Sequence, residues 1–122
     1  VLEVTDTDPA TTELDGQPLI DLLMAPTKIY VKSLLGLIAQ SPVHALAHIT
    51  GGGLIENITR SIPDNISIDL DLSKIKTKKI FKWLKSKNIS DYEMMRTFNC
   101  GVGFCLVINH KNLKRIILVV LC

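Results

Sequence analysis

Val43-His44-Ala45-Leu46-Ala47-His48-Ile49-Thr50-Gly51-Gly52-Gly53-Leu54-Ile55-Glu56-Asn57-Ile58 is the stretch on which the fold turns. Its first eight residues alternate, with Val43, Ala45, Ala47 and Ile49 on one side and His44, Leu46, His48 and Thr50 on the other, the period of a strand with one buried face. Three glycines then break the pattern, and Leu54, Ile55, Ile58 and Ile62 recur at helical spacing until Pro63-Asp64-Asn65. The order is strand, glycine turn, helix.

Outward from this unit the same two periods continue. Upstream, Val31, Leu34, Leu35 and Ile38 lie on one face of a helix that Pro26-Thr27 starts and Ser41-Pro42 stops. Downstream, Ile66 to Leu72 alternates apolar with Ser and Asp and predicts a half-exposed strand, while Thr77 to Lys87 predicts a helix with Ile80, Phe81 and Leu84 inward. Asp91 to Phe98 reads as a short helix, Asn99-Cys100-Gly101 as a tight turn, Val102 to Ile108 as a buried strand, and His110 to Leu121 as a continuing helix. Helices interleaved with strands, without repeats, define an α/β (α+β) class: a layered α/β sandwich with a mixed sheet.

The chain has 122 residues, so it holds one domain. Its apolar fraction of 47% and charged fraction of 21% exclude disorder. At this length about two thirds of the unfolded surface can be buried, so the fold needs neither disulfides nor metal. Fourteen Lys and Arg against twelve Asp and Glu give a net charge of +2, which argues against a dedicated nucleic-acid binder. Cys100, Cys105 and Cys122 form an odd set without a CxxC pair, fitting a reducing, cytoplasmic setting. No apolar run approaches the roughly 18 residues of a membrane span. Six acidic residues precede the first base, Lys28, and turn signals fill the same region, so residues 1–26 read as a linker entering from a preceding domain and 27–122 as the domain proper. A start at Val1 suggests a piece of something longer.

Chemistry could sit in several places. Gly51 to Gly53 would let backbone N–H groups approach a phosphate, with the following helix adding its N-terminal dipole, although neither GxGxxG nor GxxxxGK[ST] spacing is present and a plain strand-to-helix turn explains the glycines equally well. Arg60, two turns on, could support an anion or simply be solvated. His44 and His48 share a face but lack the flanking Cys or carboxylate of a zinc site, and Asp6-Thr7-Asp8 lacks the Gly and Glu of a calcium loop, so no metal ligand is assigned. His48, two residues before the glycines, could act as a hydrogen-bond donor or acid/base group. Arg96-Thr97-Phe98-Asn99-Cys100-Gly101-Val102-Gly103 is a second polar cluster at a helix-to-strand joint. In it, Cys100 is better read as a buried thiol than a nucleophile. If it lay in a strand, Cys100 would face away from Cys105. Seven lysines between Lys74 and Lys87 read as a solvated helix face.

In chain order Thr11-Thr12-Glu13-Leu14-Asp15-Gly16, Ala25-Pro26-Thr27-Lys28-Ile29-Tyr30-Val31-Lys32, Ala47 to Ile58, Pro63-Asp64-Asn65 and Glu93 to Gly103 closely resemble the C-terminal half of the phosphoribosylformylglycinamidine cyclo-ligase (aminoimidazole ribonucleotide synthetase) family. The resemblance runs from Val1 to about Ile108. It implies an enzyme that uses ATP with Mg2+, bound mainly by an N-terminal half, to close formylglycinamidine ribonucleotide into aminoimidazole ribonucleotide. It further implies a homodimer built largely on that N-terminal half, against which this domain packs. By matching motif, Thr50, Gly51, Gly52 and Gly53 would hold phosphate, His48 would be the catalytic candidate, and Asn57, Arg60, Arg96 and Asn99 would line or brace the pocket. After Ile108 the family runs through a helix and a glycine turn to further strands, whereas this chain ends at Cys122 while still apolar, so it reads as truncated and inactive alone. Two alternatives stay open: a related ATP-dependent enzyme of formylglycinamidine ribonucleotide synthetase or selenophosphate synthetase type, and a non-catalytic phosphate-binding or association module.

Overall fold

A computed structural model describes residues 1–109 and 116–121. A short hairpin pairs β1 (Glu13–Leu14) with β2 (Gln17–Pro18), and α1 (Leu19–Leu23) follows directly. The hairpin turns at Asp15 and Gly16, both with positive φ. Residues 1–26 are therefore more than loop: Leu19 is fully buried, and Lys79 Nζ reaches Asp15 at 3.0 Å.

Next come α2 (Val31–Gln40), β3 (Val43–His48), α3 (Gly53–Thr59), a 3-10 turn (Leu72–Lys74), α4 (Lys79–Lys85), α5 (Asp91–Thr97), β4 (Phe104–Asn109) and β5 (Ile116–Leu121). The main sheet has the order β3-β4-β5. Ala47 pairs with Cys105 and His48 with Phe104, and both strand pairings are antiparallel. The class is α+β, as the patterns predict, but the described sheets contain no parallel pair where a mixed sheet was expected. Three helices, α3, α4 and α5, separate β3 from β4 in the chain, which returns along β3 in the opposite direction.

Two elements differ from expectation. Ile66 to Leu72 does not become a strand: residues 66–70 run without a ladder partner, Ile68 and Leu70 pack on the core, and the Asp71 carboxylate accepts from Ser73 N at 3.1 Å and Ser73 Oγ at 2.6 Å, drawing the chain into the 3-10 turn. Those two hydrogen bonds hold the Asp71 carboxyl below its ordinary pKa. Ile116 to Leu121 is a strand and not a helix, because four β-branched residues in six favour the pleated surface. The remainder of that expected helix, from His110 to Arg115, lies outside the described residues, as does Cys122.

The core gathers Ala47 and Ile49 from the inner side of β3 and its exit, Leu54 and Ile58 from α3, Leu84 from α4, Met94 from α5, Cys100 and Val102 from the approach to β4, and Cys105 from β4 itself. The alternation read in β3 is thus realised, with His44, Leu46, His48 and Thr50 on the exposed side. The seven lysines between 74 and 87 are all exposed, and three of them pair with Asp71, Asp15 and Asp91. No helix among the described residues is long and apolar enough to cross a membrane.

Candidate functional site

The glycine turn leaves β3 at Thr50. Gly52 and Gly53 both take positive φ, of 91° and 62°, and Gly53 N donates to Thr50 O at 3.1 Å, so the chain reverses within one turn and enters α3. Gly53 also meets α5 backbone to backbone. A Cβ there would collide with the Met95 carbonyl oxygen and stand 2.7 Å from the Arg96 carbonyl carbon, so no other residue fits. This contact brings the triple glycine against the C-terminal end of α5, where the second polar cluster begins. The two clusters, 43 residues apart from Gly53 to Arg96, are thereby brought into contact.

Asn57 locks the turn from below. It is the one polar side chain buried among the described residues, and its Nδ2 donates to Gly53 O at 2.7 Å and Gly51 O at 3.1 Å, with Thr50 O at 3.5 Å. A residue facing the loop's carbonyls from its inner side sets the loop's shape and leaves the N–H side for a ligand. Asn99 plays a similar part in the other strand of the site: its Oδ1 accepts from Gly101 N at 3.1 Å, and Val102 N donates to Asn99 O at 2.8 Å. Between them Cys100 takes a φ of 52° and Gly101 one of 91°. Ile49 N then donates to Gly103 O at 2.9 Å, joining the exits of the two segments.

His48 is exposed on the outer face of β3, where its ring stacks on Phe104 of the paired strand at 4.5 Å between centroids and 5° between planes. Tyr30, just ahead of α2, meets the same Phe104 edge-on at 5.3 Å. Gly103 makes room for that tyrosine, since a Cβ would lie 2.6 Å from Tyr30 Cε2. Tyr30 and Phe104 were not singled out from sequence, and the available signal was only the glycine preceding an aromatic at the start of a strand.

The two arginines stand differently. Arg60 is exposed and paired through Nη2 with Glu56, one helical turn earlier, and the Glu56 carboxylate itself lies against Gly52, over the turn. Arg96 is exposed at the end of α5, with Nε 3.8 Å from Glu93. Glu56 escaped the sequence reading although its i, i+4 spacing to Arg60 was visible. At Gly51 the space a Cβ would enter is open.

Cys100 is buried, with its thiol directed at Met94 O, 3.5 Å away, and Phe98 O, 3.7 Å away. Burial, and secondarily the Asp91 carboxylate, push its pKa up, so it is a protonated core thiol. Because it sits in the left-handed turn ahead of β4, Cys100 turns into the same core as Cys105, where strand alternation would have placed the two on opposite sides. A cavity of about 250 Å3 on this flank is lined by Leu54, Phe81, Met94, Met95 and Cys100, with Lys82, Lys85 and Asp91 also on its walls. His44 and His48 belong to no group of three His, Cys, Asp or Glu able to hold a metal among the described residues.

An α+β domain with a backbone-lined turn between β3 and α3, braced by a buried asparagine and by the end of α5, is the class these observations define. The family model described as AIR synthase related protein, C-terminal domain, matches residues 2–117, and the chain belongs to that family.

Proposed function

We propose that the chain is the C-terminal domain of a phosphoribosylformylglycinamidine cyclo-ligase, working with a preceding half that supplies most of the ATP and Mg2+ binding and the homodimer contact, in the cytoplasm. The observation that carries this reading is the junction at Gly53, which sets the Thr50–Gly53 turn against the backbone at Met95 and Arg96, where the Arg96–Gly103 segment begins, so that the two stretches most specific in the resemblance are neighbours.

The reaction activates the amide oxygen of formylglycinamidine ribonucleotide by phosphoryl transfer from ATP. Attack of the amidine nitrogen on that carbon closes the ring and expels phosphate. Such chemistry asks for positioning and charge stabilisation more than for a covalent group. The turn at Thr50 to Gly53 suits a phosphate because its approach is backbone and the space above Gly51 is open. Glu56 stands over Gly52, so an anion entering there requires the Glu56 side chain to swing out. Both members of its pair with Arg60 are exposed, so that movement is cheap and would free the guanidinium for the anion. His48, steadied by Phe104, is the group for charge stabilisation or proton transfer beside the reacting atoms. Asn57 and Asn99 act as positioning residues through the backbone they hold, and Arg96 offers a second cation. No group of three His, Cys, Asp or Glu able to hold a metal occurs among the described residues, and Mg2+ would be bound mainly by the preceding half.

Joining residues 1–122 to a matching N-terminal half and assaying aminoimidazole ribonucleotide with ATP and Mg2+ tests the reading. ADP and product appearing together are expected, with turnover lowered at least about 100-fold by His48→Ala, the scale of lost general acid/base catalysis. A folded fusion with no product would point to a relative with another substrate, and unchanged turnover in the variant would remove His48 from the mechanism.

A further inference from the structure

The cavity of about 250 Å3 between the 3-10 turn, α4 and α5 is apolar inside and cationic at its edge. Its floor is Leu54, Met94 and Cys100, all buried, and Leu72, Ile75, Phe81 and Met95 add apolar wall. The charged residues of the lining, Lys82, Lys85 and Asp91, are all exposed, which sets them at the rim. Two of those charges neutralise each other, since Lys85 of α4 pairs with Asp91 at the start of α5. Lys82 has no ion-pair partner among the described residues, so one surplus cation stands over the apolar interior.

Size narrows the occupant. An apolar cavity of about 150 Å3 holds benzene, with six non-hydrogen atoms, so about 250 Å3 holds roughly ten. That exceeds a leucine, methionine or phenylalanine side chain, and one such side chain from a preceding half would leave the space part empty. A small molecule with an apolar body of that size and one negative end suits both the interior and Lys82.

We propose that this cavity is a binding site for a medium-chain monocarboxylate, an acyl chain of about eight carbons with its tail against Leu54, Phe81, Met94 and Met95 and its carboxylate accepting from Lys82 Nζ at the rim. The methionines suit such a guest, because their unbranched thioether side chains adapt to a flexible chain. Leu54 directly follows Gly53, and Met95 bears the carbonyl that Gly53 approaches, so an occupant touches both sides of the α3–α5 junction. The site stands apart from the cyclo-ligase reading and requires no preceding half.

Isothermal titration calorimetry of the 122-residue chain with octanoate tests this, with NMR amide correlation spectra to place the ligand. One-to-one binding with a Kd of about 1 mM or tighter is expected for a ligand of roughly ten atoms, with shifts concentrated at Leu54, Met95 and Cys100. Butyrate, four methylenes shorter, should bind at least about tenfold more weakly. Lys82→Gln, at an exposed position that leaves the fold intact, should weaken octanoate at least about threefold and leave octanamide unchanged, whereas Lys87→Gln, at an exposed lysine outside the lining, should change neither. No binding of octanoate at about ten times the expected Kd, equal affinity for butyrate, or equal affinity of the wild type and Lys82→Gln for octanoate would each overturn the proposal. So would loss of binding in the chain joined to a matching N-terminal half, which would give the cavity to the contact between the halves.

Discussion

The α3–α5 junction and helix α2 are built from similarly apolar sequence and end in opposite situations. At the junction, Gly53, Leu54, Asn57 and Ile58 of α3 are all buried, and the backbone of α5 approaches so closely that only glycine fits. In α2, ten residues long, one residue is buried and the stripe that periodicity reads as inward is mostly exposed. The difference teaches that amphipathic spacing specifies a face in need of a partner without specifying that the partner is in the same chain. It also separates two kinds of importance, since residues at the junction hold the candidate site in shape while those on α2 present a surface.

The junction breaks most severely at Gly53. Gly53→Ala puts a side chain at φ 62° and into the Met95 and Arg96 backbone, neither of which can yield without moving α5, and is expected to cost at least about 3 kcal/mol or to prevent folding. Urea denaturation of the variant measures it. A loss under about 1 kcal/mol would mean that α5 is free to shift and that the two halves of the site are not rigidly joined. Asn57→Ala is next. It strands carbonyls of the turn that Nδ2 satisfies, one of them buried, and should cost about 1–3 kcal/mol while loosening the turn, read as faster amide exchange at Gly51 to Gly53.

Much of this architecture was legible and some was not, for physical reasons. Strand β3 could be read because one of its faces is buried and the other is wet, and α5 because Ser90 caps it by accepting from Glu93 N at 3.2 Å. Ile66 to Leu72 misled because alternation describes a half-buried extended chain whether or not a ladder partner exists, and the Asp71–Ser73 bonds decided otherwise. Ile116 to Leu121 misled because a short apolar run has no period to read, and its β-branching was the better guide. At the site, the glycines, Asn57, Asn99 and both arginines were visible as residue types. Their division of labour was not, because Asn57 facing carbonyls, Glu56 covering Gly52 and His48 lying on Phe104 depend on register and on side-chain direction.

Cys100 sharpens the comparison through pH. Its thiol pKa is raised in the folded protein, so the protonated form is favoured by folding. That contribution is full below the ordinary thiol pKa of about 8.5 and is lost as pH rises from there through the raised value. The midpoint of thermal unfolding should therefore fall more steeply above pH 8.5 in the wild-type chain than in Cys100→Ala, and iodoacetamide should label Cys100 slowly at neutral pH in the native state. Equal slopes in the two proteins would show that the thiol is not held by its surroundings.

The smallest effect is expected on α2, and its smallness is the point. Leu35→Ser removes a large apolar side chain from a position 62% exposed, so little burial is lost on folding and the free energy of unfolding should change by less than about 0.5 kcal/mol. The measurement belongs at protein concentrations low enough that the chain is monomeric, because any self-association through this face would add a concentration-dependent loss by mass action. Under those conditions a cost near 2 kcal/mol, the size typical of a core leucine, would show that α2 packs its stripe within its own chain. The contrast with the α3–α5 junction would then dissolve into two ordinary pieces of one core. A negligible cost would instead leave the leucine on the surface of the folded chain, where its 62% exposure places it.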